Sequence, residues 1–503
     1  MGKPTDKSKK PAERSGKKTA KKSKNRFLNF DLLYQLSYMA VISQAGVPRD
    51  RMFERAATLK TGPADYFKRL ELARTRLGYD YATACRVVGD AAEEEEMKGL
   101  LLRLSSSLLS GEPEATFLSR EAEAMGHAYD NDYDKKIDIL RKWTDSYISL
   151  ILAGVLVVIV GIISTMIWPI ELVFILGLVT VSVGTTALGV WLIYLMVPME
   201  RVVLSKPSST EQKLARKMLM YLVPLAAVAC ALVVLGGVPN GWIMLTAGVL
   251  ILPIGLVSHW DDQKVTRRDS EMGGFLGSLG GVCSAVGTTV KDALGRMDLD
   301  AINFLRPQVK RLHTRLLSGI APRRSWEYFI AETGSELANR SVSMFYDAIE
   351  LGGDPAKAGY QASLFANKIT LLRAQRKSIS SSFGWLSLAM HGAIIGLLIF
   401  IAEVIGIFGE MVATAQESMP AVTDGPAMGA FTTFNMAGLD IMTSLVFPLV
   451  VAFTVGNAMA PSIVDGGSRL KAMRNMGFTL GLSGFCLVAF PFIAKSLFAS
   501  ITI

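Results

Sequence analysis

The sequence predicts an all-α polytopic membrane protein with about seven transmembrane helices and two duplicated cytoplasmic helical-bundle domains. Three observations support this class: long apolar runs, an alternation of charge between successive loops, and a corner sequence that recurs about 240 positions later. The chain has 503 residues, of which 50% are hydrophobic and only 19% are charged. A soluble protein of this length normally carries about 25% charged residues.

Seven apolar runs reach or approach the roughly 20 residues that a helix needs to cross about 30 Å of hydrocarbon. They cover residues 148–168, 172–197, 218–236, 242–258, 384–408, 441–460 and 476–499. The fourth run is the shortest and contains Pro253. We therefore predict seven membrane-spanning helices.

Charge in the connecting segments predicts the orientation. Segment 198–217 has five basic and two acidic residues, and segment 461–475 has three and one, whereas segment 409–440 has four acids and no Lys or Arg. Loops rich in Lys and Arg stay in the cytoplasm. The N-terminus and the long polar segments 27–147 and 259–383 are thus expected in the cytoplasm, and the acidic loop and the C-terminus outside.

This pattern divides the chain into five parts. They are a Lys-rich tail (1–26), a first cytoplasmic helical domain (27–147), four transmembrane helices (148–258), a second cytoplasmic domain (259–383), and three transmembrane helices with the external loop 409–440 (384–503). Each cytoplasmic segment is rich in Ala, Leu and charged residues at helical spacing.

The tail contains eleven Lys or Arg and two acids, so it accounts for the whole net charge of +9. Such a composition predicts disorder. The tail either rests on anionic lipid headgroups, at about 1 kcal/mol per basic residue, or acts as a solubilising segment without a partner. Nucleic acid is not an expected partner, because no aromatic residue is interleaved before Phe27.

Four helix-like runs end at a glycine that is followed shortly by a proline. The corners are Gly46 with Pro48, Gly111 with Pro113, Gly319 with Pro322, and Gly353 with Pro355. Glycine after a helix adopts the left-handed conformation that ends it, and proline begins the next helix with its φ already set.

The corners also recur at nearly one offset. Gly111 and Gly353 lie 242 positions apart, and Gly46 and Gly287 lie 241 apart, although Thr289 stands where the proline would be. Such corners are common in helical proteins, but the shared offset favours internal duplication.

No catalytic or cofactor motif is present. There is no G-x-x-x-x-G-K-[ST] loop, and the glycines of GGFLGSLGG follow no strand. The four cysteines and four histidines lack metal-ligand spacing. We expect no enzyme activity, cofactor or metal. The ionisable residues His391, Glu403 and Lys495 fall inside apolar runs without an evident partner, so they have either interfacial or packing roles, or a function in the membrane.

The two cytoplasmic segments differ in charge. Segment 27–147 has 16 basic and 20 acidic residues, and segment 259–383 has 17 and 13. The opposite net charges, −4 and +4, favour docking of the domains on each other or on different partner surfaces. Two candidate docking clusters stand out: a basic one (Lys310, Arg311, Arg315, Arg323, Arg324) and an acidic one (Glu93, Glu94, Glu95, Glu96) that is otherwise a solvated helix face.

Duplicated helical domains with such corners, each leading into membrane helices, resemble the type II secretion system F family. The stretch LSYMAVISQAGVPRDRMFERAA at 36–57 is the most family-like, and the resemblance covers roughly residues 30–500. In the Tad pilus branch the single-domain units are separate chains. Two fused units and an acidic external loop are most similar to the platform proteins of the archaellum and of archaeal type IV pili.

The resemblance implies a non-enzymatic platform in the cytoplasmic membrane. It would bind a hexameric secretion ATPase, couple it to the assembly of pilin-like subunits, and form a homodimer. The alternative is a secondary transporter, since internal repeats occur there too. The scarcity of polar residues at mid-membrane and the large cytoplasmic bundles favour the platform.

Overall fold

A computed structural model of the chain describes residues 28–167, 172–198, 200–204, 209–418 and 436–499. The Lys-rich tail and most of the acidic loop lie outside these residues. In the described part the chain forms sixteen α-helices and one 3₁₀ turn, and the only extended pairing there is an isolated bridge between Val203 and Ser335.

The helices follow one another in this order. The first eight are α1 (Leu28–Gln44), α2 (Arg49–Thr58), α3 (Ala64–Leu77), α4 (Tyr81–Asp90), α5 (Glu95–Ser110), α6 (Glu114–Ile167), α7 (Leu172–Met196) and α8 (Thr210–Leu235). The others are α9 (Asn240–Val286), α10 (Val290–Arg296), α11 (Arg306–Leu317), α12 (Pro322–Thr333), α13 (Glu336–Glu350), α14 (Pro355–Ser418), α15 (Met436–Asp465) and α16 (Ala472–Ala499), which follows the turn Arg469–Lys471.

Seven of these helices are long and apolar enough to cross a membrane: α6, α7, α8, α9, α14, α15 and α16. Each contains one of the predicted apolar runs. The prediction of an all-α polytopic membrane protein with seven spans is therefore confirmed. Helices α6, α9 and α14, with 54, 47 and 64 residues, extend well beyond their apolar stretches.

The chain divides into two compact units. Unit 1 contains residues 1–135, 198–209 and 264–373, and unit 2 contains 136–197, 210–263 and 374–503. Most of both predicted cytoplasmic segments thus falls in unit 1, and the apolar runs fall in unit 2.

Large aromatic side chains form the core of unit 1. Phe53 stacks on Tyr81 with ring centroids 4.6 Å apart. In the second half, Trp326 packs edge-on against Phe329 at 5.5 Å, and all of these side chains are buried. Two of the four cysteines, Cys85 and Cys283, lie in this unit, and both are buried and carry free thiols.

Left-handed glycines reveal how unit 1 was duplicated. Three pairs share one offset of 241 positions: Gly46 and Gly287, Gly78 and Gly319, and Gly111 and Gly352. The first residues of α2, α4, α5 and α6 recur at the same offset in α10, α12, α13 and α14, and α3 and α11 differ by one residue. Unit 1 therefore contains two copies of one helical fold, α1–α6 and α9–α14.

One corner differs from its prediction. The left-handed residue after α13 is Gly352, with φ +86°, and Gly353 has no positive φ. An added Cβ on Gly353 would instead lie 2.5 Å from the Cβ of Ala45, so this position is glycine because α1 approaches it closely. The offset to Gly111 is then 241 instead of 242, which agrees with the other two pairs.

The prolines after the four corner glycines occupy two different positions relative to the start of the next helix. Pro48 and Pro113 directly precede α2 and α6, whereas Pro322 and Pro355 are the first residues of α12 and α14. All four positions tolerate the missing N–H of proline.

Two other corners are capped without proline. Thr289 accepts a hydrogen bond from the N–H of Asp292, and Asp80 accepts bonds from Ala82 and Thr83. The corner at Gly78 lacks proline, which is why sequence inspection missed it.

Glycines also set the helix spacing in unit 2. Gly241, Gly248 and Gly255 recur every seven residues on α9 and face α16. An added Cβ on Gly248 would lie 2.6 Å from the backbone nitrogen of Gly481. In a membrane, where no hydrophobic force drives helices together, such small residues allow the close packing that stabilises a helix pair.

Three of the five glycines of GGFLGSLGG, namely Gly273, Gly277 and Gly280, allow a similarly close approach of two helices in unit 1. An added Cβ on Gly280 would lie 3.0 Å from the Cα of Gly359 on α14, and one on Gly277 would lie 3.3 Å from the Ser363 hydroxyl. These glycines belong to a helix–helix contact.

A charge-balanced cluster holds the turn between α15 and α16. The Lys471 ammonium lies 2.5 Å from a carboxylate oxygen of both Asp262 and Asp465, and Lys377 lies 2.9 Å from Asp465. Both carboxylates and Lys471 are buried, so the pairing of opposite charges is what makes their burial tolerable.

Candidate docking surfaces

The contact between the two copies in unit 1 is built from buried charged groups. The Arg340 guanidinium donates to Asp31 at 2.7 Å and to Glu336 at 3.1 Å, and its side chain is only 7% exposed. It also lies over the rings of Phe30 and Tyr34, at 4.4 and 4.8 Å from their centroids. This arginine of the second copy is thus fixed by α1 of the first.

A second contact joins the same helices. The Tyr38 hydroxyl donates to a carboxylate oxygen of Asp347 at 2.8 Å. Burial raises the pKa of Asp347, although the hydrogen bond from Tyr38 opposes this. The backbone N–H of Asp354 donates to the carbonyl of Ala45 at 3.0 Å, which extends the contact to the corner after α13.

Ion pairs cross between the copies in both directions. Asp31 of the first copy pairs with Arg340 of the second, whereas Arg55 of the first pairs with Glu350 of the second at 2.9 Å. The net charges of −4 and +4 therefore do not by themselves describe how the copies dock. Specific ion pairs do: the Arg340 side chain is 7% exposed, whereas those of Arg55 and Glu350 are 26% and 29% exposed.

Most of the predicted basic cluster is engaged in ion pairs inside unit 1. Arg311 and Arg315 both pair with Glu332, which bridges α11 and α12. Arg323 pairs with Glu350 at 3.2 Å. These three arginines stabilise the fold, which reduces what they offer a partner.

Two members of the cluster remain available. Lys310 and Arg324 are exposed, and neither has an ion-pair partner among the described residues. They lie on α11 and α12, the helices on either side of the corner at Gly319. Leu317 and Tyr328 on the same helices are 59% and 54% exposed. This helix pair thus carries both free cations and exposed apolar side chains.

The acidic run has a structural role at the start of α5. Glu94 accepts a hydrogen bond from the Tyr66 hydroxyl, and Glu95 and Glu96 lie in the first helical turn. Carboxylates there interact favourably with the helix dipole, at about 0.3–1 kcal/mol each. Glu93, Glu95 and Glu96 are exposed. The run is a largely solvated helix start, in which Glu94 is engaged with Tyr66.

A cleft of about 460 Å³ lies between the two copies. Tyr34, Arg55 and Lys60 line it from the first copy, and Trp326 and Tyr346 from the second. Its volume falls in the range of small-molecule sites, about 300–1,000 Å³. The cations on its rim are mostly paired, so charge does not single out a ligand.

The apolar helices of unit 2 contain a chain of buried hydrogen bonds. It runs from the Tyr147 hydroxyl to Asn457 Oδ1 (3.1 Å), from Asn457 Nδ2 to His391 Nδ1 (2.9 Å), from His391 Nε2 to Ser483 Oγ (2.8 Å), from Ser483 to Thr454 (2.7 Å), and from Thr454 to the Val450 carbonyl (2.6 Å). All five side chains are buried. His391 therefore has partners on α15 and α16, which sequence inspection did not find.

The Val450 carbonyl at the end of this series fixes the direction of every hydrogen bond in it. Because the Val450 carbonyl only accepts, Thr454 donates to it, Ser483 donates to Thr454, and His391 donates to Ser483 from Nε2. The Nδ1 atom of His391 then accepts from Asn457. A histidine protonated at Nε2 cannot take the Ser483 proton, so this Ser–His pair is not an activated nucleophile.

The other two ionisable residues of the apolar runs interact electrostatically, since the charge of Lys495 acts on the carboxylate of Glu403. Each therefore has an electrostatic neighbour, which was also not evident from the sequence. In the described part of the chain, no three His, Cys, Asp or Glu side chains are grouped as metal ligands would be.

These features define a class: a multi-pass all-α membrane protein that carries a duplicated, charge-stabilised helical unit. The chain is similar to flagella accessory protein J of Methanocaldococcus jannaschii, with 23% identity over 418 residues, which cover 81% of this chain and 73% of that protein. It is also similar to flagella accessory protein J of Methanococcus voltae, with 23% identity over 456 residues, 86% of this chain and 79% of the relative.

No family model and no solved structure matches the sequence. The similarity to the two flagella accessory proteins confirms the resemblance to archaellum platform proteins that the corners predicted.

Proposed function

We propose that this chain is a non-enzymatic platform protein that couples a cytoplasmic hexameric secretion ATPase to the assembly of pilin-like subunits into an archaellum or related type IV filament. The observation that carries the proposal is the similarity over about four fifths of the chain to two flagella accessory proteins. Seven apolar helices give the anchor, and the duplicated unit 1 gives a folded surface for a partner.

The orientation follows from loop charge. With unit 1 in the cytoplasm, its exposed corner meets the ATPase, and the acidic loop and the C-terminus lie outside. The homodimer and the contact of the Lys-rich tail with anionic lipid are parts of the same proposal. The secondary-transporter alternative gains no support at His391, where the adjoining cavity has about 10 Å³. That volume holds one water molecule at most.

The proposed ATPase-docking surface contains fewer cations than the predicted basic cluster. Reversing Arg311 or Arg315 would break the pairs with Glu332 and destabilise α11 and α12, so a loss of binding there would be ambiguous. Lys310 and Arg324 are the members whose charge is reversible without loss of an ion pair described in the structure.

The test is a pull-down with the full-length protein in detergent as bait and a hexameric secretion ATPase of the same organism as the candidate partner. Lys310→Glu with Arg324→Glu is expected to reduce retention at low salt and to have less effect at high salt, because exposed charges are screened. The matched control is Lys291→Glu with Lys357→Glu, which makes the same change in charge at two other exposed cations of unit 1 that have no ion-pair partner among the described residues. If the unmodified chain retains no ATPase, the proposed function is wrong.

A further inference from the structure

The loop between the membrane helices α7 and α8 pairs with the backbone of unit 1. We call residues 200–204 of this loop the strap. The Leu204 N–H donates to the Gly334 carbonyl at 3.2 Å, and the Glu336 N–H donates to the Val202 carbonyl at 3.0 Å. These two bonds lie on either side of the antiparallel bridge in this loop. The strap is thus held, as one strand holds another, at the corner between α12 and α13.

Buried charges hold the strap at its first residue. The Arg373 guanidinium on α14 donates to Glu200 at 2.6 Å and to Asp269 on α9 at 2.7 Å. The side chains of Arg373, Glu200 and Asp269 are 12%, 2% and 3% exposed. Arg373 also donates to the carbonyl of Arg201 at 3.3 Å. Because removing one partner would leave buried charge without its counterion, this cluster opposes release of the strap.

Within the described residues, the strap belongs to the second copy and has no counterpart on the first. Ser335, the residue before α13, has φ −100° and ψ 133°, and Glu94, the residue before α5 and 241 positions earlier, has φ −93° and ψ 125°. The two corners thus have nearly the same extended backbone at this position. In the part of the chain that the structure describes, no extended segment pairs with the corner at Glu94. The strap follows a membrane helix of the first half of the chain, α7, and yet binds the second copy.

The strap leads into α8, the membrane helix whose apolar stretch is least buried. In that stretch only 6% of the residues are buried, against 28–50% in the other six membrane helices. Near the start of α8, Gln212 donates to Asp261 on α9 at 3.0 Å, and near its other end the Cys230 thiol donates to the Ile243 carbonyl at 3.6 Å. Packing along its length therefore fixes α8 weakly, and its position depends on how its ends are held.

We propose that the strap is the mechanical link through which unit 1 positions α8 in the membrane. The second copy holds the strap by backbone pairing and by buried charge, and only five residues, 205–209, separate the strap from α8. A displacement of the corner between α12 and α13 therefore carries the start of α8 with it. The inference rests on the proposed function, since it names the path by which motion driven by the ATPase reaches a membrane helix.

Added length between the strap and α8 separates a mechanical role from a stabilising one. A loop that only stabilises unit 1 needs its hydrogen bonds and buried charges, whereas a mechanical link also needs the short connection to α8. Helix displacements in conformational switches are about 1–5 Å. Six inserted Gly and Ser residues add a random-coil segment of about 13 Å. Slack of that length absorbs the displacement and leaves the contacts of the strap in place.

A disulfide tests that the strap is docked. Val203 and Ser335 form a non-hydrogen-bonded antiparallel pair, whose Cα atoms lie about 4.5 Å apart, within the range that a disulfide spans. In a background without the four native cysteines, Val203→Cys with Ser335→Cys should therefore crosslink when the purified full chain is oxidised in detergent. The crosslink should form with and without the six-residue insertion. Its absence in the chain without the insertion overturns the inference.

The functional experiment counts filaments by electron microscopy in cells of the source organism that lack the chromosomal copy of the gene. The test variant carries Gly-Gly-Ser-Gly-Gly-Ser after Lys206, and the matched control carries the same six residues after Met297, in the loop between α10 and α11. We expect the test variant to reach the membrane in the amount of the unmodified chain but to assemble no filaments, and the control to assemble them. If six residues lower the amount in the membrane, a four-residue insertion, with about 11 Å of slack, replaces them.

Two results contradict these expectations, and they are distinguishable. If the insertion after Lys206 leaves filament assembly at the level of the control, the strap only stabilises unit 1, and the inference is overturned while the proposed function stands. If cells that lack the chromosomal copy still assemble filaments, the proposed function is wrong and the inference fails with it.

Discussion

Gly248→Ala is expected to destabilise the membrane helices, although alanine is the better helix former. The added Cβ would lie 2.6 Å from the nitrogen of Gly481 and 3.0 Å from the carbonyl oxygen of Gly477. Non-bonded heavy atoms prefer separations of about 3.5–4.0 Å. Because both neighbours are backbone atoms, they cannot rotate away, and α9 and α16 must separate by about 1 Å.

The magnitude follows from two opposing effects. Separation by about 1 Å forfeits up to half of the dispersion energy of each contact along the seam, and overpacking a close-packed interior costs about 1–3 kcal/mol. Replacing glycine by alanine within a helix gains up to about 1 kcal/mol. We therefore expect a net loss of about 1–2 kcal/mol.

The measurement is thermal denaturation of the full chain in detergent, followed by circular dichroism. A loss of about 1–2 kcal/mol lowers the midpoint by roughly 2–8 °C for a unit of this size. The matched control is Gly481→Ala, which lies in the same seam but would meet nothing within 4 Å of its Cβ. The reasoning is refuted if Gly248→Ala melts at or above the temperature of Gly481→Ala.

Three further predictions test the topology, the duplication and the contact between the copies. In a background without cysteine, an impermeant maleimide should label Thr423→Cys in intact cells. It should label Ser106→Cys, an exposed site of unit 1, only after the cells are permeabilised. The opposite labelling pattern would show that the predicted membrane orientation is wrong. Gly352→Ala should lower the free energy of unfolding by about 1–2 kcal/mol because its φ is +86°, whereas Gly281→Ala, in open helical space, should not. Burial raises the pKa of the Asp347 carboxyl in the folded state, so the folded protein binds the proton of this carboxyl more tightly than the unfolded chain does. The wild type should therefore gain stability relative to Asp347→Asn as the pH falls through that raised pKa. A difference in stability between the two proteins that does not change with pH would contradict the raised pKa.

Sequence patterns are sufficient where one segment alone decides the outcome. An apolar run long enough to span the bilayer predicts a membrane helix because the hydrocarbon admits no unpaired backbone groups. A glycine after a helix predicts a left-handed end for steric reasons that act within a few residues. Seven spans and three of the four predicted left-handed glycines follow from such local causes.

Local rules stop short where two candidates satisfy them equally. In ELGGDP both glycines are able to end α13. A Cβ added to Gly353 would lie 2.5 Å from the Cβ of Ala45, about 300 positions away, and 2.8 Å from the Ala348 carbonyl oxygen, and the left-handed residue is Gly352. The left-handed Gly78 was not predicted, because Asp80 caps the next helix there and no proline follows the glycine. The corner becomes recognisable only by comparison with Gly319, which lies 241 positions later.

Tertiary structure alone decided which charges are free and which polar groups are paired. Arg311 and Arg315 look equivalent to Lys310 in the sequence, but both pair with Glu332 on the next helix. His391 looks isolated, but α15 and α16 bring Asn457 and Ser483 to its two nitrogens. The sequence by itself determined that this chain is a duplicated helical membrane protein, because hydropathy and helix ends are local properties. Pairing depends on which helices meet, and that is a property of the packed chain.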